Sequence, residues 1–392
     1  MKKFTNPWEE LKEALRQYAL NSGFDAVGFA PPAPPPHAEQ LQPWLDQGCH
    51  GEMSWMERHP ERRMDPRELL NHVGVILVAG VNYRPAFPSD GIAAYALHQD
   101  YHELLKNRVQ ELKRWLEEKW GQPVVSRICV DTAPVLEKPL AVAAGLGWQG
   151  KNTLLVSRDF GCWMMLAELF LVLPLPPDQP ESDHCASCDR CLRACPTDAL
   201  TTPYQVNASR CLAFFTVEAR GMIPRVYREA MGMRVFGCDA CITACPWNRF
   251  APVNQEVTHL SEIGLVSLHL ADWATLNKER FDKTFHATPI LRLGVTRFLR
   301  NVATALGNWR TPEAVPPLER LLNHDAPLVR SHAAWGLGNL ATHGLTDAYS
   351  PAQNDNAVAL ARSLLRRHQL HEQNQTVLEE INHAYARQTG AM

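Results

Sequence analysis

Long apolar runs are absent from this chain of 392 residues. No segment approaches the roughly 18 apolar residues that a membrane-spanning helix needs. The first residues, MKKFTNPWEELKEAL, lack the apolar core and the cleavage site of a secretory signal. We therefore expect a cytoplasmic protein that has no membrane partner and whose thiols stay reduced.

A strong charge imbalance is absent as well. The formal net charge is -3, so the chain as a whole exerts no strong electrostatic attraction on nucleic acid. Binding to nucleic acid would have to come from a local basic patch. The length exceeds what one hydrophobic core normally serves, and it predicts two or three domains.

Cysteine, by contrast, is plentiful: the chain has eleven, and eight of them fall into two runs. The first run has the spacing C-x2-C-x2-C-x3-C-P, which is typical of bacterial ferredoxins with two 4Fe-4S clusters. The second run lacks its leading cysteine because Val235 stands there, and Cys211 is the natural substitute. In such ferredoxins the fourth cysteine of a run binds the neighbouring cluster. The predicted ligand sets are therefore Cys185, Cys188, Cys191 and Cys245 for one cluster, and Cys195, Cys211, Cys238 and Cys241 for the other.

Structural zinc is the alternative for these cysteines. Zinc sites usually pair two C-x2-C units across a longer loop, whereas a third cysteine after two more residues and a fourth before proline suit a cubane. The pattern therefore favours electron transfer. Cys49, Cys129 and Cys162 lie outside both runs, and we expect them to be buried small side chains.

Hydrophobic periodicity and proline-rich segments divide the chain into regions. Before the proline-rich segment 174–180, strand-like and helical patterns alternate. The predicted helices are Trp8 to Leu20, Tyr101 to Trp120 and Val135 to Ala144, and the predicted strands are Val75 to Val81, Val124 to Val130, Thr153 to Val156 and Met164 to Leu173. We predict an α+β multidomain protein with an α/β domain around a buried sheet at 1–173, a two-cluster ferredoxin-like domain at 174–255 and an α-helical tail at 256–392.

The tail contains a short internal repeat. Leu306-Gly-Asn308 recurs as Leu337-Gly-Asn339, with a predicted helix pair between them, which indicates a HEAT-like repeat. An ordinary helical bundle is the alternative. The basic residues of this stretch are arginines, among them Arg300 and Arg330, and the planar guanidinium suits phosphate. A solvated helix face would explain the same charges.

Two segments of the first domain are candidates for chemistry. Asp131 stands between a predicted strand and a predicted helix, where it is either a functional carboxylate or a helix N-cap. The segment GLGWQGKNT, from Gly145 to Thr153, either lets the backbone approach a large ligand closely or forms plain turns.

Five segments together resemble a known family: GEMSWMERHPERRMDP, DYHELL, VDTAPVLEKPLAVAAGLGWQGKNT, CASCDRCLRACPTDAL and FGCDACITACPWNR. Their order and spacing, with the tail repeat, are similar to those of the epoxyqueuosine reductases. These enzymes catalyse the last step of queuosine synthesis in transfer RNA. The resemblance covers nearly the whole chain.

The resemblance implies a cobalamin in the α/β domain that receives electrons from the two clusters. The enzyme would reduce the epoxide on the modified wobble nucleoside to an alkene. Asp131 would be the proton donor, and to serve near neutral pH its carboxyl pKa would have to be raised by burial beside the corrin. The implied cofactor contacts are Arg63, Asp131, Lys151, Asn152 and Ser209.

Other expectations concern the cobalt ligand and the partners. The D-x-H-x-x-G signature of a histidine ligand to cobalt is interrupted because Leu105 replaces the glycine, so we expect His102 to be structural. Transfer RNA, bound through its anticodon stem-loop, would contact Arg220, Arg300 and Arg330. We expect a monomer that takes electrons from an unidentified low-potential donor.

Two other functions remain open at this point. A reductive dehalogenase shares a cobalamin and two ferredoxin-type clusters, but such enzymes typically carry a twin-arginine signal and lack a helical repeat tail. A non-catalytic electron carrier would leave the α/β domain and Asp131 unexplained.

Overall fold

The computed structural model describes residues 6–86, 91–97, 99–254 and 269–389. They form two compact units. The first contains residues 6–86, 100–209 and 239–254, and the second contains 91–97, 99, 210–238 and 269–389. Compact units need not coincide with cofactor-binding domains, so the division into three domains stays a prediction.

A four-stranded antiparallel sheet forms the centre of the first unit, in the order β1-β2-β6-β3. Its strands are β1 (Ala26–Ala30), β2 (Val75–Asn82), β3 (Ser126–Cys129) and β6 (Met164–Leu171). Strands β4 (Trp148–Gln149) and β5 (Leu155–Val156) form a separate pair. Because these strands pair antiparallel, the rule that ligands bind at the carboxyl ends of parallel strands does not locate a site here.

Helices cover both faces of the sheet. The helices of the first unit are α1 (Pro7–Asn21), α2 (Leu41–Asp46), α3 (Pro60–Met64), α4 (Tyr101–Trp120), α5 (Glu137–Ala143), α6 (Arg190–Arg193) and α8 (Ala240–Thr243). Leu77 of β2 packs in one cluster with Leu15 of α1 and Leu105 of α4. Its neighbour Ile76 packs in another cluster with Leu140 of α5. Burial on both faces explains why β2 is a continuous apolar run in the sequence.

The predicted elements of this unit are confirmed, with ends that differ by a few residues. The helix expected at Trp8 to Leu20 spans Pro7–Asn21, and the helix at Tyr101 to Trp120 has the predicted bounds. The strand expected at Val124 to Val130 is shorter, Ser126–Cys129. Strands β1 and β4 were not predicted, because strands this short show little hydrophobic periodicity.

The second unit is helical. Its helices are α7 (Arg225–Met231), α9 (Leu270–Trp273), α10 (Lys278–Thr284), α11 (Val295–Trp309), α12 (Val315–Leu322), α13 (Pro327–His343), α14 (Pro351–Gln369) and α15 (Gln375–Thr389). Helix α13 packs against α11, α12, α14 and α15. A methyl group on Gly307 would lie 2.5 Å from the Cα of Gly336, so Gly307 and Gly336 let α11 and α13 approach closely. No helix within the described ranges is long and apolar enough to cross a membrane.

Candidate active site

Asp131 is the centre of a hydrogen-bonded group in the first unit. It follows β3, and its carboxylate Oδ2 lies 2.8 Å from Nε2 of His102, at the start of α4. The other ring nitrogen, Nδ1, lies 2.6 Å from Oδ1 of Asp100. Asp100 also caps α4 by accepting the backbone N–H of His102. The Asp100–His102–Asp131 group therefore holds the imidazole between two carboxylates.

The charges of this group settle where its proton resides. Burial opposes a charge on His102, but the hydrogen bonds and charges of Asp100 and Asp131 outweigh it and raise the His102 pKa to about 9. Burial also opposes the charge on Asp131, but His102 outweighs it and lowers the Asp131 pKa. The expectation of a raised Asp131 pKa is therefore wrong. At neutral pH the proton resides on His102 and the Asp131 carboxylate is ionised.

The backbone at Asp131 is held in an unusual conformation. Its φ angle is 55°, in the left-handed region that few side chains adopt. The backbone N–H of Asp131 donates to Oε1 of Glu137 at 2.5 Å. The N-cap of α5 is Leu136, so the alternative that Asp131 caps this helix is excluded.

An open cavity of about 870 Å³ lies in the same unit. Its wall includes the apolar side chains of Trp44, Leu136, Val142 and Trp148, together with the amides of Gln40 and Gln149. Trp44 is fixed because its indole N–H donates to the Val206 carbonyl at 2.7 Å. Leu136 and Val142 belong to the segment that begins with Asp131, so the acid and the cavity wall share one stretch of chain.

Six of the eight predicted cluster cysteines belong to the first unit. Burial and the nearby charges of Cys185 and Cys245 raise the pKa of Cys191 to about 11. This proximity supports the grouping of Cys245 with the first run. Cys211 and Cys238 belong to the second unit, and the ligand set of the second cluster stays a prediction.

Cys162 is buried, as expected, but it also contacts a cluster cysteine. Its thiol hydrogen-bonds to Cys245 and is the main reason that the pKa of Cys245 is lowered to about 7. The amide of Asn152 contacts the Cys162 sulfur at 3.7 Å and donates to the Cys241 carbonyl at 3.3 Å. The sequence did not signal this role for Cys162, because it lies outside both runs.

Lys151 and Asn152, predicted as cofactor contacts, lie among the cysteines. The ammonium of Lys151 donates to the carbonyls of Ala186 at 2.5 Å and Cys188 at 2.9 Å. It therefore holds the loop of the first cysteine run. Gly147, four residues earlier, has its Cα against the Val156 carbonyl, where a methyl group would lie 2.1 Å away. At this position the glycine serves close packing within the chain.

Arg63 and Ser209 differ in their surroundings. Arg63 is buried, with its guanidinium 5.3 Å from the Trp55 ring centre, and burial lowers its pKa. Its Nε has no hydrogen-bond partner among the described residues, so it has a donor to offer. Ser209 is exposed, and its backbone N–H donates to Asn207.

The three arginines predicted to contact transfer RNA differ in exposure. Arg300 is fully buried, and its guanidinium donates to the carbonyls of Phe215, Ala219 and Gly221 at 2.6 to 2.8 Å. Arg330 forms a two-pronged ion pair with Glu372 at 2.7 and 2.9 Å. These positions argue against direct nucleic-acid contacts at Arg300 and Arg330. Arg220 is exposed, between two residues that Arg300 binds.

Family models match three parts of the chain. A 4Fe-4S double cluster binding domain matches residues 184–248. The epoxyqueuosine reductase QueG model, DUF1730, matches residues 63–132. A HEAT-repeat model matches residues 296–368. These matches confirm the predicted iron-sulfur motif and the HEAT-like tail.

Curated relatives and solved structures agree with the family models. The epoxyqueuosine reductase of Vibrio cholerae is 37% identical over 341 residues, which cover 84% of this chain and 92% of the relative. That of Escherichia coli is 38% identical over 341 residues, covering 84% and 89%. A crystal structure of epoxyqueuosine reductase with an epoxyqueuosine-modified tRNA-Tyr stem loop matches with a TM-score of 0.83 and 27% identity, over 97% of this chain and 100% of that one. A structure from Bacillus subtilis, described as having its catalytic loop swung out of the active site, matches with a TM-score of 0.80 and 27% identity, over 97% and 99% of the two chains. The chain therefore belongs to the epoxyqueuosine reductase family of oxidoreductases.

Proposed function

We propose that this protein reduces epoxyqueuosine to queuosine at the wobble position of transfer RNA. The observation that carries the proposal is the charged His102–Asp131 pair, in which Asp131 begins the chain segment that contributes Leu136 and Val142 to the cavity wall. Removing an epoxide oxygen to leave an alkene consumes two electrons and two protons and releases water. The pair would supply one of these protons.

Cobalamin is the proposed cofactor of the cavity. A corrin has broad apolar faces and a rim of amide side chains, and the cavity offers Trp44 and Trp148 with the amides of Gln40 and Gln149. Both ring nitrogens of His102 are engaged by carboxylates, which supports binding without this histidine as a cobalt ligand. When bound and reduced by single electrons, cobalamin supplies a strongly nucleophilic metal centre for opening the epoxide.

Two 4Fe-4S clusters are the proposed electron relay. Cys185, Cys188, Cys191 and Cys245 would hold the first, and Cys195, Cys211, Cys238 and Cys241 the second. The negative charges of Cys185 and Cys245 disfavour the thiolate form of the neighbouring Cys191. A polynuclear cationic centre would suit thiolates held this close together. Lys151 and Asn152 would act through the cysteine loops that they hold.

The chain's own residues account for the proton step. His102 stores the proton at neutral pH and passes it from Nε2 to the Asp131 carboxylate, which gives it to the oxygen as the carbon–oxygen bond breaks. The Asp131 side chain is 50% exposed, so the pair can take up the second proton from water. Asp100 fixes the ring orientation from the other side.

Transfer RNA is the proposed substrate because the similar crystal structure carries a modified transfer RNA stem loop. Arg220 is the predicted contact that we retain, since its side chain is exposed. A cytoplasmic location, a monomeric state and an unidentified low-potential electron donor complete the proposal. An electron carrier would need no proton store such as the His102–Asp131 pair.

The decisive experiment is anaerobic incubation of the purified protein with a transfer RNA stem-loop that carries epoxyqueuosine. The mixture contains cobalamin and a chemical low-potential reductant, and nucleoside mass analysis follows product formation. We expect conversion to queuosine, with loss of one oxygen mass, that requires both cobalamin and reductant. Product formation without cobalamin would contradict the proposed cofactor, and no product under any condition would contradict the reaction.

A further inference from the structure

Glu168 is a fully buried acid in the middle of the central sheet. It lies on β6 between β2 and β3, opposite Val78 and Cys129, and has no exposed surface. Alternation along the strand places it on the same face as Leu166 and Phe170, which pack in the cluster that contains α5. An ionised carboxylate without donors at such a position would be very costly.

The contacts of Glu168 indicate that it is neutral. Neither of its oxygens meets a hydrogen-bond donor in the part of the chain that the structure describes. The acid Glu137 lies within hydrogen-bonding reach of Glu168. Two carboxyl groups in contact hold a shared proton, because two charges at that distance repel strongly in a buried site. Burial, followed by the charges of Glu137 and Asp131, raises the pKa of Glu168 well above its usual range.

Glu137 connects this buried acid to the active site. Its Oε1 accepts the backbone N–H of Asp131 at 2.5 Å, where the backbone has the left-handed φ of 55°. Such a conformation is costly and persists only where neighbouring contacts enforce it. The hydrogen bond from the Asp131 backbone to Glu137 is such a contact, so Glu137 helps to hold Asp131 in place.

We propose that Glu168 is a positioning residue for Asp131: as a neutral acid it donates its O–H to Glu137, and Glu137 in turn holds the Asp131 backbone. The inference rests on the proposed function, because it concerns the group that delivers the proton. A carboxylic acid fits this place because its O–H can donate to Glu137, whereas two ionised carboxylates would repel each other.

Several titratable and charged groups surround the Glu168–Glu137 contact. They are Glu137 and Lys138 of α5, Cys129 and Arg127 of β3, Asp131 of the following loop and His102 of α4. Burial and then the Asp131 charge raise the pKa of Glu137 to about 7. The side chain that faces Glu168 from β2, Val78, is apolar.

Two substitutions separate donation from packing. Glu168→Gln keeps a donor of the same shape, whereas Glu168→Met keeps the volume and removes the donor. In the full-length holoenzyme, assayed with the epoxyqueuosine stem-loop, we expect Glu168→Met to lower kcat by about 10- to 100-fold with KM unchanged, because Asp131 is misplaced. We expect Glu168→Gln to retain activity at neutral pH. Leu166→Met, on the same face of β6, is the control for packing.

A measurement that does not depend on activity is hydrogen exchange of the segment 128–136 before cobalamin is added. We expect faster exchange in Glu168→Met than in the unchanged protein, and no change in Glu168→Gln or Leu166→Met.

The outcomes are distinct. Equal exchange and activity in Glu168→Met would overturn the inference, as would a Glu168→Gln enzyme as impaired as Glu168→Met. If Glu168→Met does not fold, lowered turnover or faster exchange of segment 128–136 in Glu168→Gln overturns it, because the amide keeps a donor, and unchanged values support it. Failure of the unchanged holoenzyme to reduce epoxyqueuosine would contradict the proposed function, while the exchange comparison would still decide whether Glu168 holds the Asp131 segment.

Discussion

Replacing Asp131 with asparagine tests the proton step directly. Asparagine keeps an oxygen that can accept from His102, and its backbone N–H can still donate to Glu137. It cannot carry a transferable proton. We expect turnover to fall by roughly 10²- to 10⁴-fold, the range for a positioned general acid. Iron content, cobalamin content and transfer RNA affinity should be unchanged.

The magnitude of the electrostatic coupling follows from His102. Raising its pKa from 6.5 to about 9 corresponds to about 3 kcal/mol in favour of the imidazolium. Asp131 is 50% exposed and Asp100 only 14%, so solvent screening assigns the larger share of this energy to Asp100. In Asp131→Asn we therefore expect the His102 pKa to fall but to stay above 6.5.

The sign of the pH dependence follows from the raised pKa of His102. Its proton is present below pH 9 and is lost as the pH rises through about 9, so activity should fall there. The same ion pairs stabilise the fold fully below pH 6.5, and this contribution disappears as the pH rises through about 9. The lowered pKa of Asp131 predicts no loss of activity from this residue between pH 5 and 8.

The assay is single-turnover conversion of the epoxyqueuosine stem-loop, with a histidine NMR titration of the same variants. Asp100→Asn is the matched control because it also removes one carboxylate partner of His102. We expect Asp100→Asn to move the alkaline limb of the pH–activity profile to lower pH. Its turnover at pH 6 should stay within about tenfold of that of the unchanged enzyme. Near-normal turnover in Asp131→Asn, with both cofactors retained, would refute the assignment of Asp131 as donor.

Three further predictions test the rest of the site. Anaerobically purified protein should carry about eight irons per chain and Cys211→Ser roughly half of that, measured as iron content; zinc in place of iron would contradict the cluster assignment. Arg220→Ala should weaken stem-loop binding and reduce its salt slope by about one, and an unchanged slope would exclude a phosphate contact. Arg300→Leu should lower the free energy of unfolding by about 3 kcal/mol or more in denaturant titrations, because three carbonyls lose their donor, and an unchanged stability would contradict this role.

Local sequence patterns were sufficient for most of the first unit. Strand β2 reads as an apolar run because both of its faces are buried, and α4 reads as a helix because one face packs on the sheet. The antiparallel pairing could not be predicted, since partner strands such as β2 and β6 are far apart in the sequence. The spacing of the cysteines along the sequence identified them as cluster ligands, because a cubane requires several of its ligands at fixed, short separations in the chain.

Most of the candidate site depends on contacts between distant segments. Asp131 was predicted from a local motif, but its ionisation is controlled by His102, which precedes it by 29 residues. The sequence places His102 at the start of a helix and gives no sign of its partner. Glu168 is harder still to predict, because a single acid within an apolar strand gives no indication of the acid that it contacts.

The arginines of the helical unit show why charge composition alone does not locate a nucleic-acid surface. A guanidinium can donate to backbone carbonyls as well as to phosphates. Arg297 donates to carbonyls at Arg292 and Leu293, and Arg310 to those at His343 and Gly344. Arg300 is fully buried and binds Ala219 and Gly221, which flank the exposed Arg220. Its contribution to nucleic-acid binding would therefore be indirect: it fixes the loop that presents Arg220, and removing it should affect stability before affinity.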